Sequence, residues 1–467
     1  MVKATREYSL LGLHSAEGLP DELRPLVRRA VKVYMDNMQR NMVLLSYYDD
    51  EHIASNSRET MPARFRKQSM AVGWCAKGVN MLADRSIMDR FAIPDGDLSE
   101  VESALSVDGM SEEYANARRT QLIFGCGFWC VTRGDTKDGE PPAVVAFHDL
   151  LSSAAVWDWS RKRVRLGVAI EDWEVVVGVS HPSVACVYDK DATYELHWDN
   201  GAWAVAQVDE HGMGRAAMVE MPFQPTSAKP FGRSRITKRA MEITDEMQAE
   251  TANTMLHSEL FSSPRRWILG VDPKFQQSKS DWELYMERVM TITRDRNGNV
   301  PTVGEFSQAS MAPHIEYMEF LARQMASEMD LPMAAFGVNG NGYTSSDALR
   351  ASTDDLIMAA ESMNSRNRKA IRTVAVMAVA MASGDRYSDA NARLADLSVR
   401  MVDPSMPSLA ARADSMVKKA SAIPWLAETT VALEDLGYDK ETIGLLQGER
   451  DAAETRQAVN AMFAQGV

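Results

Sequence analysis

The sequence predicts an α+β chain in which long helices and an antiparallel sheet occupy separate stretches. Three observations predict it. Residues 143–219 hold short runs of β-branched and aromatic residues broken by turn signals. Residues 233–263 and 345–382 carry apolar side chains at helical spacing with no Gly or Pro. Between those two lies a compact insert, 264–311, with turn and strand signals of its own. Runs of strand followed by runs of helix, rather than strict alternation, are the α+β pattern.

Composition narrows the function classes. The chain has 467 residues, enough for several domains, and 65 Asp and Glu against 51 Lys and Arg, a net charge of −14. That balance argues against a basic surface that wraps nucleic acid, although a channel through which a duplex slides needs no tight binding. Four cysteines (Cys75, Cys126, Cys130, Cys186) do not make a disulfide framework. Residues 1–20 lack the basic start and apolar run of a signal peptide. The longest apolar run, 374–382, is far short of a membrane span, so no membrane partner is expected. The 30 methionines read as adaptable core, or as subunit interfaces that slide a little. No internal repeat or low-complexity segment is visible.

Taken in order, 21–56 is helical, with Leu26, Ala30, Val33, Tyr34, Met38 and Met42 on one face. Asp49, Asp50, Glu51 and His52 are metal-ligating types, but adjacent acids on a loop read as solvated surface. Helices follow at 68–83, 97–105 and 111–123. Residues 123–131 read as a strand, in which Cys126 and Cys130 share a face about 13 Å apart, too far for a disulfide. Strands are expected at 144–147, 154–157, 165–171, 185–188, 193–198 and 203–208, forming a meander with a hairpin at Asp199-Asn200-Gly201. Trp157, Trp159, Trp173, Trp198 and Trp203 pack in or on it, and Arg161-Lys162-Arg163 is a solvated hairpin tip.

Pro230-Phe231-Gly232 is a turn, Ser234 a candidate N-cap, and 233–263 a helix of about 45 Å. Taken alone, such a rod reads most simply as a long helix on a sheet. In the insert, 265–270 and 300–306 are strand-like, 281–293 is helical and Asn297-Gly298 makes a turn. A second helix spans 312–329, and Leu331-Pro332 ends it. Gly337, Gly340 and Gly342 with Asn339 and Asn341 form a mobile loop, and Ser345 or Ser346 caps a helix that runs to about 382. A loop at 384–389 and a Pro-punctuated linker at 403–408 lead to helices at 408–420, 424–433 and 439–464, the last broken near Gly448.

No catalytic constellation emerges. Gly337 to Thr344 has the glycine spacing and hydroxyl of a phosphate loop, but Tyr343 stands where the lysine belongs, and the loop follows a helix instead of a strand. There is no HExxH, GxSxG or CxxC, and the eight histidines are scattered. No cofactor or metal is expected.

Several motifs, in order and spacing, resemble the portal proteins of tailed bacteriophages, in the branch found in long-tailed siphophages. They are Pro230-Phe231-Gly232-Arg233-Ser234 opening a long helix; Ser262-Ser263-Pro264-Arg265-Arg266 closing it, with Gly270 beyond; 320–332 ahead of Phe336-Gly337; and Ser345-Ser346-Asp347-Ala348-Leu349-Arg350 starting the next helix. Tyr47-Tyr48 with His52, and 79–93 with Phe91, also fit. Arg235 departs from the family, which often has an acidic residue there.

The resemblance implies a portal fold: a wing with helical and β parts (1–231), stem helices (232–263 and 312–330), a small α/β clip (264–311), a tunnel loop (331–344), a connecting helix (345–383) and a helical crown (384–467). It implies a homo-oligomeric ring of about 12 copies at one capsid vertex of the virion, assembled in the host cytoplasm. Double-stranded DNA would enter and leave through it. The large terminase, the head–tail connector, and the major capsid and scaffold proteins would be partners. Asn339, Asn341, Tyr343 and Thr344 would touch DNA weakly in the channel. Arg265, Arg266, Arg294 and Arg296 would meet partners or DNA at the clip. The chain would not be an enzyme. The competing readings are a nucleotide-dependent head enzyme using the degenerate glycine loop, and a structural adaptor without a channel.

Overall fold

The computed structural model describes residues 5–6, 10–53, 71–94, 97–176, 179–199, 201–261, 266–269, 302–305, 309–338, 353–405, 409–438 and 440–465. They fall into two compact units, residues 1–401 and 402–467.

The first unit contains the expected meander. Strands β5 (Ser153–Asp158), β6 (Arg163–Val176), β7 (Val179–Tyr188), β8 (Ala192–Asp199) and β9 (Ala202–Glu210) pair antiparallel in sequence order. A short strand, β1 (Thr5–Arg6), joins β7 in parallel. Helix α1 (Arg24–Tyr48) lies across β5 and β6. Its periodic face of Val27, Ala30, Val31, Tyr34 and Met38 is buried. Two polar donors on that face are satisfied by the chain ahead of β5: Tyr34 Oη donates to the Leu151 carbonyl (2.7 Å), and Asn41 Nδ2 to that of Leu150 (3.0 Å), while Asn41 Oδ1 is buried without a partner. Burial without those partners would cost about 1–3 kcal/mol for each group. Trp203 is buried in this sheet, while Trp159 and Trp198 are exposed.

The structure differs from expectation at several edges. Strand β4 (Ala143–His148) is not in the meander; it pairs with β3 (Cys126–Arg133), which pairs with β10 (Met218–Pro222) in a separate three-stranded sheet. Ile123 and Phe124 are not strand residues but the last turn of α4 (Val107–Phe124), which Gly125 ends with φ +90°. Apolar residues before and after the glycine hide that boundary in the sequence. Strands β2 (Met88–Ala92) and β13 (Ser398–Met401) form a two-stranded ladder that neither run announces alone. The first helix starts at Arg24 and stops at Tyr48, shorter than 21–56. Helices α2 (Trp74–Ala83) and α3 (Ser99–Ala104) complete the N-terminal part.

Helix α5 (Lys238–Phe261) and helix α6 (Ala312–Glu328) pack on each other, and helix α7 (Asp354–Ser383) runs over the three-stranded sheet. Every residue from Val374 to Met381 on α7 is buried, so this apolar run is core. The expected loop at 384–389 is shorter: Gly384 ends α7 in the left-handed region, and α8 (Tyr387–Arg393) begins three residues later. Residues 384–401, expected with the tail, lie in the first unit. Strands β11 (Arg266–Leu269) and β12 (Thr302–Glu305) pair antiparallel within the insert. The helix expected at 281–293 lies outside the described residues.

All four cysteines are free and buried. Burial pushes the Cys75 thiol up to about 11 and raises those of Cys126, Cys130 and Cys186.

The second unit consists of α9 (Leu409–Ala422), a 3-10 turn at Pro424–Glu428, α10 (Thr430–Leu436) and α11 (Lys440–Gln465). Helix α11 continues through Gly444 and Gly448 without the expected break. A single exposed Gly costs only about 1 kcal/mol in a helix, which its neighbours offset.

Candidate functional site

The α5–α6 pair is built from its root outward. Gly125 and Gly232 approach each other there, both with left-handed φ (+90° and +74°). A Cβ on Gly125 would meet the backbone of Arg233 and Ser234; one on Gly232 would meet the carbonyls of Phe223 and Gly125. The turn at Pro230-Phe231-Gly232 is therefore a packing requirement as well as a chain reversal. The Phe223 amide donates to the Gly125 carbonyl (2.8 Å), and the Arg233 amide to that of Phe223 (2.9 Å).

Ser234 is not the helix cap. Its Oγ donates to the Ile123 carbonyl (2.6 Å) and accepts from the Ile236 amide (2.9 Å), tying the approach to the end of α4. The cap is Thr237, whose Oγ1 accepts from the Ala240 amide (3.1 Å). Helix α5 accordingly begins at Lys238, five residues later than the spacing implied. Thr237 Oγ1 also bonds Glu328 Oε1 (2.5 Å), linking the start of α5 to the end of α6.

Arg235 is 5% exposed. Its Nε donates to the Gly78 carbonyl (2.8 Å) and its Nη2 to the carbonyl of Met329, which follows α6. Burial holds the guanidinium down at about 10, partly offset by Asp330. Three segments thus share one buried cation, and Gly78 is small because Met329 Sδ would lie 2.8 Å from a Cβ there. Arg235 is the clamp at the helix root.

Beyond the root the two helices run antiparallel, as their polar contacts show. Arg239 bonds Gln324, Tyr317 Oη reaches Glu246 (3.4 Å), and His314 Nδ1 lies 2.5 Å from Glu250 Oε1. His314 Nε2 meets His257 Nδ1 at 2.7 Å. On the other side of α5, Tyr47 Oη donates to Asp245 (2.9 Å), which raises the phenol together with burial, and Cys75 Sγ contacts Thr244 Oγ1 at 3.4 Å. Tyr317 (42% exposed) and Phe320 (47%) stack on one side of α6 with ring centroids 6.2 Å apart, and Ile315 (53%) is exposed well round the helix from them.

A second constellation, invisible in the sequence pattern, anchors α7. Ser86 Oγ lies 2.6 Å from Tyr114 Oη and donates to Asn364 Oδ1 (2.5 Å). Asn367 Nδ2 donates to Tyr114 Oη (2.9 Å), and Asn367 exchanges bonds with Gln121 (2.9 and 3.0 Å). Arg118 Nη1 donates to the Ser86 carbonyl (2.5 Å). Asn364 and Asn367 spaced by three on an apolar face were the available signal, because most such groups are buried with at least one partner.

Of the residues expected at the site, only Arg266 is described; it stands opposite Glu305 at the end of the β11–β12 ladder. Arg265, Arg294, Arg296, Asn339, Asn341, Tyr343 and Thr344 lie outside the described residues. Before them, Met333–Phe336 forms a 3-10 turn ended by Gly337 (φ +78°). The acids at 49–51 do not gather with His52 to bind a metal. Instead Asp50 Oδ1 accepts from the Gly73 amide (2.9 Å), and His52 faces Asp245 at 3.4 Å. Among the described residues no group of three His, Cys, Asp or Glu is arranged to hold a metal, and no helix is long and apolar enough to cross a membrane.

This arrangement of meander, paired helices and inserted ladder defines the α+β fold of a known class. Residues 32–433 match the model of the phage portal protein family, SPP1 Gp6-like, and the chain belongs to that family. It is 22% identical over 425 residues to the portal protein of Mycobacterium phage D29, covering 87% of this chain and 84% of that protein. To the portal protein of Mycobacterium phage L5 it is 21% identical over 406 residues, covering 84% and 81%. Solved structures similar to it include a chain from the neck of a native gene transfer agent particle computed with C12 symmetry (13% identical, 83% of this chain and 97% of that chain, TM-score 0.44). A chain from the virion of a native gene transfer agent particle is 11% identical over 76% of this chain and 87% of that chain, with a TM-score of 0.42.

Proposed function

We propose that this portal-family chain forms a closed ring of about 12 copies at one vertex of a phage head, a channel for double-stranded DNA during packaging and ejection. The reading is supported by the family match over residues 32–433 and by the α5–α6 pair: rooted by a buried clamp, it leaves Ile315 exposed on one side of α6 and the stacked Tyr317 and Phe320 on another. Large apolar groups in water are unfavourable, and neighbouring copies in a ring would cover them. The test is the mass of the purified chain by light scattering, with negative-stain imaging. About 12 copies of 51.9 kDa make a particle of about 620 kDa with a central hole. A monomer at every concentration, with or without a scaffold protein, would refute the ring.

In this reading 1–231 is the wing, 232–263 and 312–330 the stem, 264–311 the clip, 331–344 the tunnel loop, 345–383 the connecting helix and 384–467 the crown. The clip, with Arg265, Arg266, Arg294 and Arg296, meets the large terminase and later the head–tail connector. The outer parts meet capsid and scaffold proteins. The chain hydrolyses no nucleotide itself. Asn339, Asn341, Tyr343 and Thr344 form a polar collar that touches DNA weakly, so that the duplex slides. Deleting 337–342 is expected to leave ring mass unchanged and impair packaging or DNA retention; normal packaging and retention would remove the collar from the scheme.

A further inference from the structure

The β5–β6 turn, the segment around β10 and helix α7 enclose a groove of 790 Å³. Its walls include Trp157, Pro222, Pro225 and Pro230, with Trp159 standing 57% exposed beside them. Four cations line the same groove: Lys162, Arg215, Arg366 and Lys369. Arg215 is close enough to Glu220 to act on its carboxyl, while the hydrogen-bond partner of Arg366 and the ring partner of Arg215 are neutral. Arg366 Nη1 donates to Ser362 Oγ (3.1 Å), and the Arg215 guanidinium lies 4.8 Å from the centroid of the Tyr387 ring. The acid in the lining is Glu220, whose Oε2 is buried without a hydrogen-bond partner. The nearby Asp158 carboxylate is engaged by its own turn, accepting from the Ser160 and Arg161 amides at 3.0 Å.

Like charges that line one groove raise one another's energy. Burial lowers the Arg163 guanidinium, and Arg215 and Arg161 beside it add to that. Such a cluster in a chain of net charge −14 calls for an anionic occupant. Duplex DNA would satisfy the cations but would offer its charged backbone, not an apolar partner, to the Trp and Pro side chains. A protein segment carrying carboxylates and apolar groups satisfies both features. Trp and Arg are the residue types that dominate the binding energy of protein interfaces. The chain itself supplies such segments, since its acids outnumber its bases by 65 to 51.

We propose that this groove is the socket into which a carboxylate-bearing segment of a second copy of this chain docks, an interface that rests on the ring reading. The full-length chain is prepared in three forms: wild type, Lys162→Glu with Lys369→Glu, and Trp159→Ala. Mass is followed by light scattering against concentration at low and high salt, and folding is checked by circular dichroism. Binding of a short labelled duplex is measured alongside. The socket predicts that both variants need at least about tenfold higher concentration to assemble than wild type. It also predicts that salt weakens the wild type more than the charge-reversed form. The Trp159→Ala variant, which changes an exposed side chain, keeps the test valid if charge reversal harms folding. Variants that assemble like wild type overturn the socket while leaving the ring intact. Loss confined to duplex binding overturns it in favour of DNA. A wild type that never assembles overturns the ring, and the socket with it.

Discussion

At its root the α5–α6 pair is closed off from water, whereas towards Phe261 and Ala312 it is held by bonds between partly buried side chains. The root combines Arg235, Ser234, Ile236 and Ala240, all buried, with two glycines in contact. The far part relies on His314, Glu250, His257 and Tyr317, and presents Ile315 and Phe320 to solvent. Buried polar bonds are costly to break because the abandoned partner cannot turn to water, while exposed ones contribute little to stability. The difference teaches that the pair is fixed at its root by buried bonds, while its far part carries apolar side chains that this chain leaves exposed.

The largest effect that could break this contrast is at Gly125. A Gly125→Val chain must place a Cβ against the backbone of Arg233 and adopt a left-handed φ. It should lose roughly 4 kcal/mol or more of unfolding free energy in urea. A loss under about 1 kcal/mol would mean the root is not tightly built. Next comes Arg235→Met, which leaves the Gly78 and Met329 carbonyls buried without their donor. A loss of about 3 kcal/mol is expected, with hydrogen exchange rising in the first turn of α5. Exchange that rises only near Phe261 would reverse the assignment of root and tip. The smallest effect on the subunit is expected for Phe320→Ser. Below the assembling concentration it should change stability by less than about 0.5 kcal/mol. Above that concentration it should lower the yield of rings, and an unchanged yield would separate this face from assembly.

Much of the fold was legible. Helix α6 falls within the expected 312–329, because Pro313 and Leu331-Pro332 punctuate a strongly periodic run. The meander was legible from alternation and from turn signals such as Asn200-Gly201. What escaped were partnerships and boundaries. Strands β2 and β13 are some three hundred residues apart in the chain, and no local pattern joins them. Ile123 and Phe124 look like the start of β3 because both sides of Gly125 are apolar; only the positive φ separates helix from strand. Ser234 has the chemistry of a cap, but packing against α4 claims its hydroxyl, and the cap moves to Thr237.

By itself the sequence determined the α+β class, the order of long helices and meander, and the motifs that resemble the portal family. Those follow from local propensity, periodicity and spacing, which are properties of neighbouring residues. The tertiary structure decided that Arg235 is a buried clamp, that Ser86, Tyr114, Gln121, Asn364 and Asn367 share one network, and that Lys162, Arg215, Arg366 and Lys369 line one groove. Such groups acquire a role only when distant segments meet, because burial and proximity set what a charge or a hydrogen bond is worth.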